Sequence, residues 1–148
     1  MHLSNTIVIG PNIIYVEKDK DLYAIIVREN FNEDGVNFIT PDSSTLQVAV
    51  SAYESNSEVK PHFHNRIRRT LDETMEVVHI DEGEAEVSFF KESKKILVGS
   101  YVIKKGDIVI FFKGIHRLVF RKKTRIIEVK QGPYTGATID KSQVNVDE

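Results

Sequence analysis

Glu76-Val77-Val78-His79-Ile80-Asp81-Glu82-Gly83-Glu84-Ala85-Glu86-Val87-Ser88-Phe89-Phe90 is the stretch on which the fold class turns. β-Branched and aromatic residues crowd both flanks of Asp81-Glu82-Gly83, a turn signal, so the segment reads as two short strands joined by a tight turn. The same grammar extends outward. Val8 to Glu17, Leu22 to Arg28, Leu46 to Tyr53, Ile96 to Ile103, Ile108 to Phe112, Arg117 to Phe120 and Arg125 to Val129 are similar runs. Turn formers separate them: Gly10-Pro11-Asn12, Asn32-Glu33-Asp34-Gly35, Pro41-Asp42-Ser43-Ser44 and Lys104-Lys105-Gly106-Asp107. Many short strands at regular spacing predict an all-β sandwich or barrel. No window carries an apolar helical repeat, and the best helical candidates are a turn or two at 41–44 or 66–73.

The chain of 148 residues is sized for one domain, and about 70% of its unfolded surface can be buried without a metal or disulfide. The expected division is a domain over 1–138 and a flexible polar tail over 139–148. A net charge of −2 gives no global pull toward nucleic acid or anionic lipid, so neither is expected as a partner. Cysteine is absent, which excludes thiolate metal sites and thiol nucleophiles; any metal must be held by nitrogen and oxygen. The first residues show no basic leader before their apolar run, and no stretch nears the roughly 18 apolar residues of a spanning helix. Cytoplasmic residence is the expectation.

Pro61-His62-Phe63-His64 puts two imidazoles at i and i+2. In a strand both point to one face. Further along, Gly106-Asp107-Ile108-Val109-Ile110-Phe111-Phe112-Lys113-Gly114-Ile115-His116 is a turn, a strand, a second glycine turn and a histidine. With Glu76 lying seven residues before Gly83, this set resembles the cupin superfamily over about 45–130. His62 and His64 match the family's histidine pair, Glu76 its glutamate and His116 its last histidine. The match has departures. Eleven residues separate His64 from Glu76 and must loop out, which makes Glu73 a rival carboxylate. Phe112 stands where the second motif has proline, and no glycine opens the first. The closing Ile127-Glu128-Val129-Lys130-Gln131-Gly132-Pro133-Tyr134 is similar to that of small bacterial cupins without an assigned reaction, some of them associated with cell-surface sugar biosynthesis.

The resemblance implies a cupin-type double-stranded β-helix, a jelly-roll barrel around a lumen. It also implies a divalent first-row metal (iron, manganese, nickel or zinc) held by His62, His64, Glu76 and His116, with positions left open for substrate. Strand parity adds candidates around such a lumen. Gln47 and Tyr53 share one face of their strand, opposite Leu46, Val48 and Val50. Glu128 and Lys130 share a face of the last. Tyr53, Glu128 and Lys130 are the candidate acid, base or anchor groups. Gln47, Arg66 and Arg69 are candidate substrate contacts, with Arg66, Arg68 and Arg69 in the long insert placed to clamp an anionic group as a lid. His79 has the parity opposite to Glu76, and His2 is terminal.

Three functions follow as expectations. The first is a metal-dependent enzyme on a small polar metabolite, a sugar or sugar-nucleotide isomerase or epimerase, or an oxygenase with iron. The second is a non-catalytic small-molecule-binding cupin. The third is a metal-independent sugar epimerase using histidine as base. Exposed edge strands make a homodimer the expected assembly.

Overall fold

The computed structural model describes residues 6–93 and 95–146. The chain runs β1 (Thr6–Ile9), β2 (Ile13–Lys18), β3 (Asp21–Val27), β4 (Gly35–Phe38), β5 (Ala49–Ala52), β6 (Glu76–Glu82) and β7 (Glu84–Phe90). It continues through β8 (Leu97–Lys104), β9 (Ile108–Phe111), β10 (Ile115–Val119), β11 (Arg125–Lys130) and a single helical turn, α1 (Ala137–Asp140). All pairings are antiparallel. A six-stranded sheet has the order β1-β2-β3-β9-β6-β11, a three-stranded sheet the order β10-β7-β8, and β4 pairs with β5 alone.

The all-β reading from period-two patterning holds. Among the described residues, no pairing closes the sheets into a barrel. Neither helical candidate forms: 41–44 is a turn, and 66–73 is irregular and exposed because it packs against nothing that would bury a helix face. The tail begins differently too, with Ile139 and Asp140 inside α1. His2 and Lys94 lie outside the described residues.

Two apolar layers hold the strands together. Between the large and small sheets lie Ala24, Ile26, Val78, Ile80, Val109 and Phe111 from one side, with Val87, Phe89 and Ile103 from the other. The opposite face of the large sheet presents Ile25, Val27, Ile110 and Met75, covered by Ile39, Leu46, Val48 and Val50 from the β4–β5 region. Being covered on both faces explains the unbroken buried run Tyr23–Val27 in β3, which shows no alternation. Burying the largest of these side chains stabilises the fold by about 2–3 kcal/mol each.

Polar contacts fix the strand ends. Asp107, nearly fully buried, accepts bonds from the backbone N–H of Lys104 at 2.9 Å and of Glu29 at 3.0 Å, and from the Arg28 guanidinium at 2.7 Å. It thereby ties the β8–β9 turn to the end of β3. Gly83 joins β6 to β7 at φ +85°, where a Cβ would sit 2.6 Å from both the Lys123 carbonyl oxygen and the Thr124 hydroxyl. No other residue fits there without displacing backbone.

Candidate functional site

The inner layer ends in a polar mouth. Glu76 opens β6 with the parity of Val78 and Ile80, so it faces the space between the sheets. Phe111 is its cross-strand partner on β9, and Lys130 on β11. Glu128, one diagonal away, stands beside Glu76. From the small sheet, β10 brings His116 into the same mouth. Its ring lies on Phe111 with centroids 4.2 Å apart, and its Nε2 stands 3.9 Å from a Glu76 carboxyl oxygen. Glycine at 114 permits this approach. It holds φ +78°, and a Cβ there would meet the Phe90 carbonyl and the Tyr23 ring at 2.8 Å.

Burial and crowding set the charges. The Glu76 side chain is 18% exposed, and burial, with Glu128 beside it, pushes its carboxyl up to about 7. Lys130 opposes that shift without cancelling it. Burial lowers the His116 imidazole below the usual histidine value, so at neutral pH it carries a lone pair. Lys130 reaches Asp140 at 2.7 Å and Glu128 at 3.7 Å, with its ammonium 5.3 Å from the Tyr134 ring centre. Asp140 holds that ammonium above the ordinary lysine range. The mouth thus combines a carboxyl that titrates near neutrality, a neutral imidazole and a cation. Beside it a groove of about 310 Å³ runs between 71–74 and α1, lined by Glu73, Gln131 and Asp140 among others.

The structure brings Glu76, His116, Glu128 and Lys130 together. It places Glu76, and not the exposed Glu73, beside His116. The other sequence candidates stand elsewhere. His62 and His64 face each other edge-on at 5.3 Å in an extended strap where every residue from Tyr53 to Thr74 is exposed. His62 Nδ1–H donates to the Lys60 carbonyl at 2.9 Å, leaving Nε2 outward. Arg66 and Arg69 lie on the same strap. Tyr53, at its root, is exposed. Gln47 turns into its own turn, where its amide donates to the carbonyls of Pro41 at 2.9 Å and Ser44 at 3.0 Å and accepts from Thr40. Leu46, Val48 and Val50 do pack inward, so the parity of that strand reads correctly while its polar face meets water.

Among the described residues, no three His, Asp or Glu side chains gather in a metal-holding group. Two of the four expected ligands meet in one copy and two do not. Sequence reading passed over Phe111, Tyr134 and Asp140. Phe111 stacks under the imidazole, and a buried strand residue gives no outward sign of that; Asp140 falls in a segment without periodicity. No helix among the described residues is long and apolar enough to cross a membrane. Comparison of the chain with protein-family models, with curated proteins and with solved structures finds no match.

Proposed function

We propose that the protein is a cupin-type enzyme that moves a proton on a small polar metabolite, in the manner of a sugar or sugar-nucleotide isomerase or epimerase. The observation that carries this reading is the Glu76–His116 pair, 3.9 Å apart with the imidazole resting on the Phe111 ring, and Glu128 beside Glu76. Isomerisation beside a carbonyl needs a base that takes a proton from carbon and an acid that returns one to oxygen or carbon. A carboxyl poised near neutrality does either task at cellular pH, and the neutral imidazole 3.9 Å away does the other. Lys130 offers a cation to a developing enolate oxygen or an anionic substituent. The jelly-roll relationship is part of the same proposal, supported by the two-layered antiparallel architecture and by the motif glycines 83, 106 and 114, all at positive φ.

Of the four residues expected to hold a metal, Glu76 and His116 meet at the mouth, and the proton steps are assigned to them. Aldoses, ketoses and nucleotide sugars incubated with the protein in deuterium oxide test this assignment. We expect solvent deuterium to enter the carbon next to the carbonyl, and Glu76→Gln to slow that entry by about 10²–10⁴-fold while the far-ultraviolet spectrum stays native. Binding without deuterium entry across the panel would favour a non-catalytic binding protein.

A further inference from the structure

Tyr23 is turned inward by an irregularity in the large sheet. Val16 pairs with Ala24 and Glu17 with Leu22, so the β2–β3 register skips Tyr23. Strict alternation would put it on the outer face with Ile25 and Val27, whereas the bulge sends it to the inner layer with Ala24 and Ile26. The residue is 4% exposed, and a Cβ on Gly114 would meet its ring at 2.8 Å. Its hydroxyl has no hydrogen-bond partner among the described residues. No partnerless side-chain polar atom among them is sealed from solvent, so the phenol oxygen opens outward. It opens on a pocket of about 430 Å³ where the start of β3, the end of β7 and the β9–β10 turn meet. Asp21, Lys91, Glu92, Ser93 and Lys113 line that pocket with it.

Charge selects the ligand. The ammonium groups of Lys91 and Lys113 stand against the carboxylates of Asp21 and Glu92, so the lining has no net charge. Both lysines are engaged, Lys113 with Asp21 at 2.7 Å and Lys91 with Asp19, which adds a negative charge from outside the lining. An anionic ligand would have to displace Asp21 and would face Glu92. A hydroxyl has no such conflict. It accepts from an ammonium and donates to a carboxylate without parting them, because one contact leaves both groups with bonding capacity to spare. Burial raises the Tyr23 phenol above the ordinary tyrosine value, so at neutral pH it keeps its proton and donates. We propose that this pocket binds an uncharged polyhydroxylated molecule, a sugar or cyclitol, one of whose oxygens accepts from the Tyr23 hydroxyl while neighbouring hydroxyls bridge the Lys113–Asp21 ion pair. The pocket shares no lining residue with the Glu76–His116 mouth and stands whether or not that mouth moves protons.

Titration with glucose, galactose, mannose and myo-inositol, followed at the Gly114 amide resonance, tests the pocket, with glucose 6-phosphate and glycine as charged counterparts. At least one uncharged probe is expected to shift that resonance saturably and to bind more tightly than either charged one. Tyr23→Phe keeps the ring and removes the donor, and is expected to weaken this binding by about three- to tenfold. Glu76→Gln is expected to leave it unchanged, which separates the pocket from the mouth. No saturable shift with any uncharged probe overturns the proposal, as does equal binding by Tyr23→Phe or tighter binding of a charged probe. Weakening by Glu76→Gln as large as that by Tyr23→Phe would move the ligand to the mouth and overturns it too. The unliganded variant gives a second reading. A hydroxyl that bonds to nothing in the fold supports nothing there, so Tyr23→Phe is expected to melt at most about 4 °C below the parent, and a larger fall would mark a structural bond and overturn the binding role.

Discussion

Glu76 carries two conflicting demands. Its place at the start of β6 gives it the parity of Val78 and Ile80, which buries it, and the β11 register sets Glu128 beside it. A carboxyl raised to about 7 binds a proton in the folded state that the unfolded chain has released, so its contribution to stability falls as pH rises from about 4.5 to about 7. His116 works the other way. Its lowered value means the unfolded chain binds the proton first, so its contribution falls as pH drops below about 6.5. The two slopes oppose each other in the native protein. Urea titrations across pH 4.5–7.5 should therefore show Glu76→Gln gaining stability with rising pH and His116→Asn losing it. Parallel slopes in the two variants would mean that the pair does not share the mouth.

At the scale of elements, most strands were legible because burial on one face writes a period of two. β4 escaped. Asn32-Glu33-Asp34-Gly35 reads as a turn, and the Val36-Asn37-Phe38 that follows is too short to show alternation. The histidine pair was legible as a motif but its setting was not, since nothing local in Pro61-His62-Phe63-His64 says that the segment stays exposed and unpaired in a sheet. Of the mouth residues, Glu128 and Lys130 came from strand parity, and Glu76 and His116 from the family resemblance, with parity favouring Glu76 over Glu73. The stacking on Phe111 and the ion pair to Asp140 depend on contacts between distant segments, which no local pattern encodes. The β6–β7 hairpin supplies a prediction at this scale. Gly83→Ala must accept both a left-handed backbone and a clash with the 123–124 backbone, and should cost about 2–4 kcal/mol by denaturant unfolding. A loss under about 1 kcal/mol would show that the two hairpins do not abut as described.

Taken whole, the molecule is a layered antiparallel sandwich with a polar mouth at the end of its inner core. The large sheet is sealed on both faces near β3 and β9, while toward β11 its outer face opens to water at Ile127 and Val129. Rigid, close-packed layers behind the mouth hold Glu76 and His116 in fixed relation, as proton transfer requires. The Lys130–Asp140 ion pair flanks that mouth. The most direct check on the account is a carbon-detected nuclear magnetic resonance titration of the Glu76 side-chain carboxyl in the intact protein. The account predicts a midpoint near 7 that moves down in Glu128→Gln yet stays above the ordinary carboxylate value. A midpoint near 4.5, indifferent to residue 128, would contradict it.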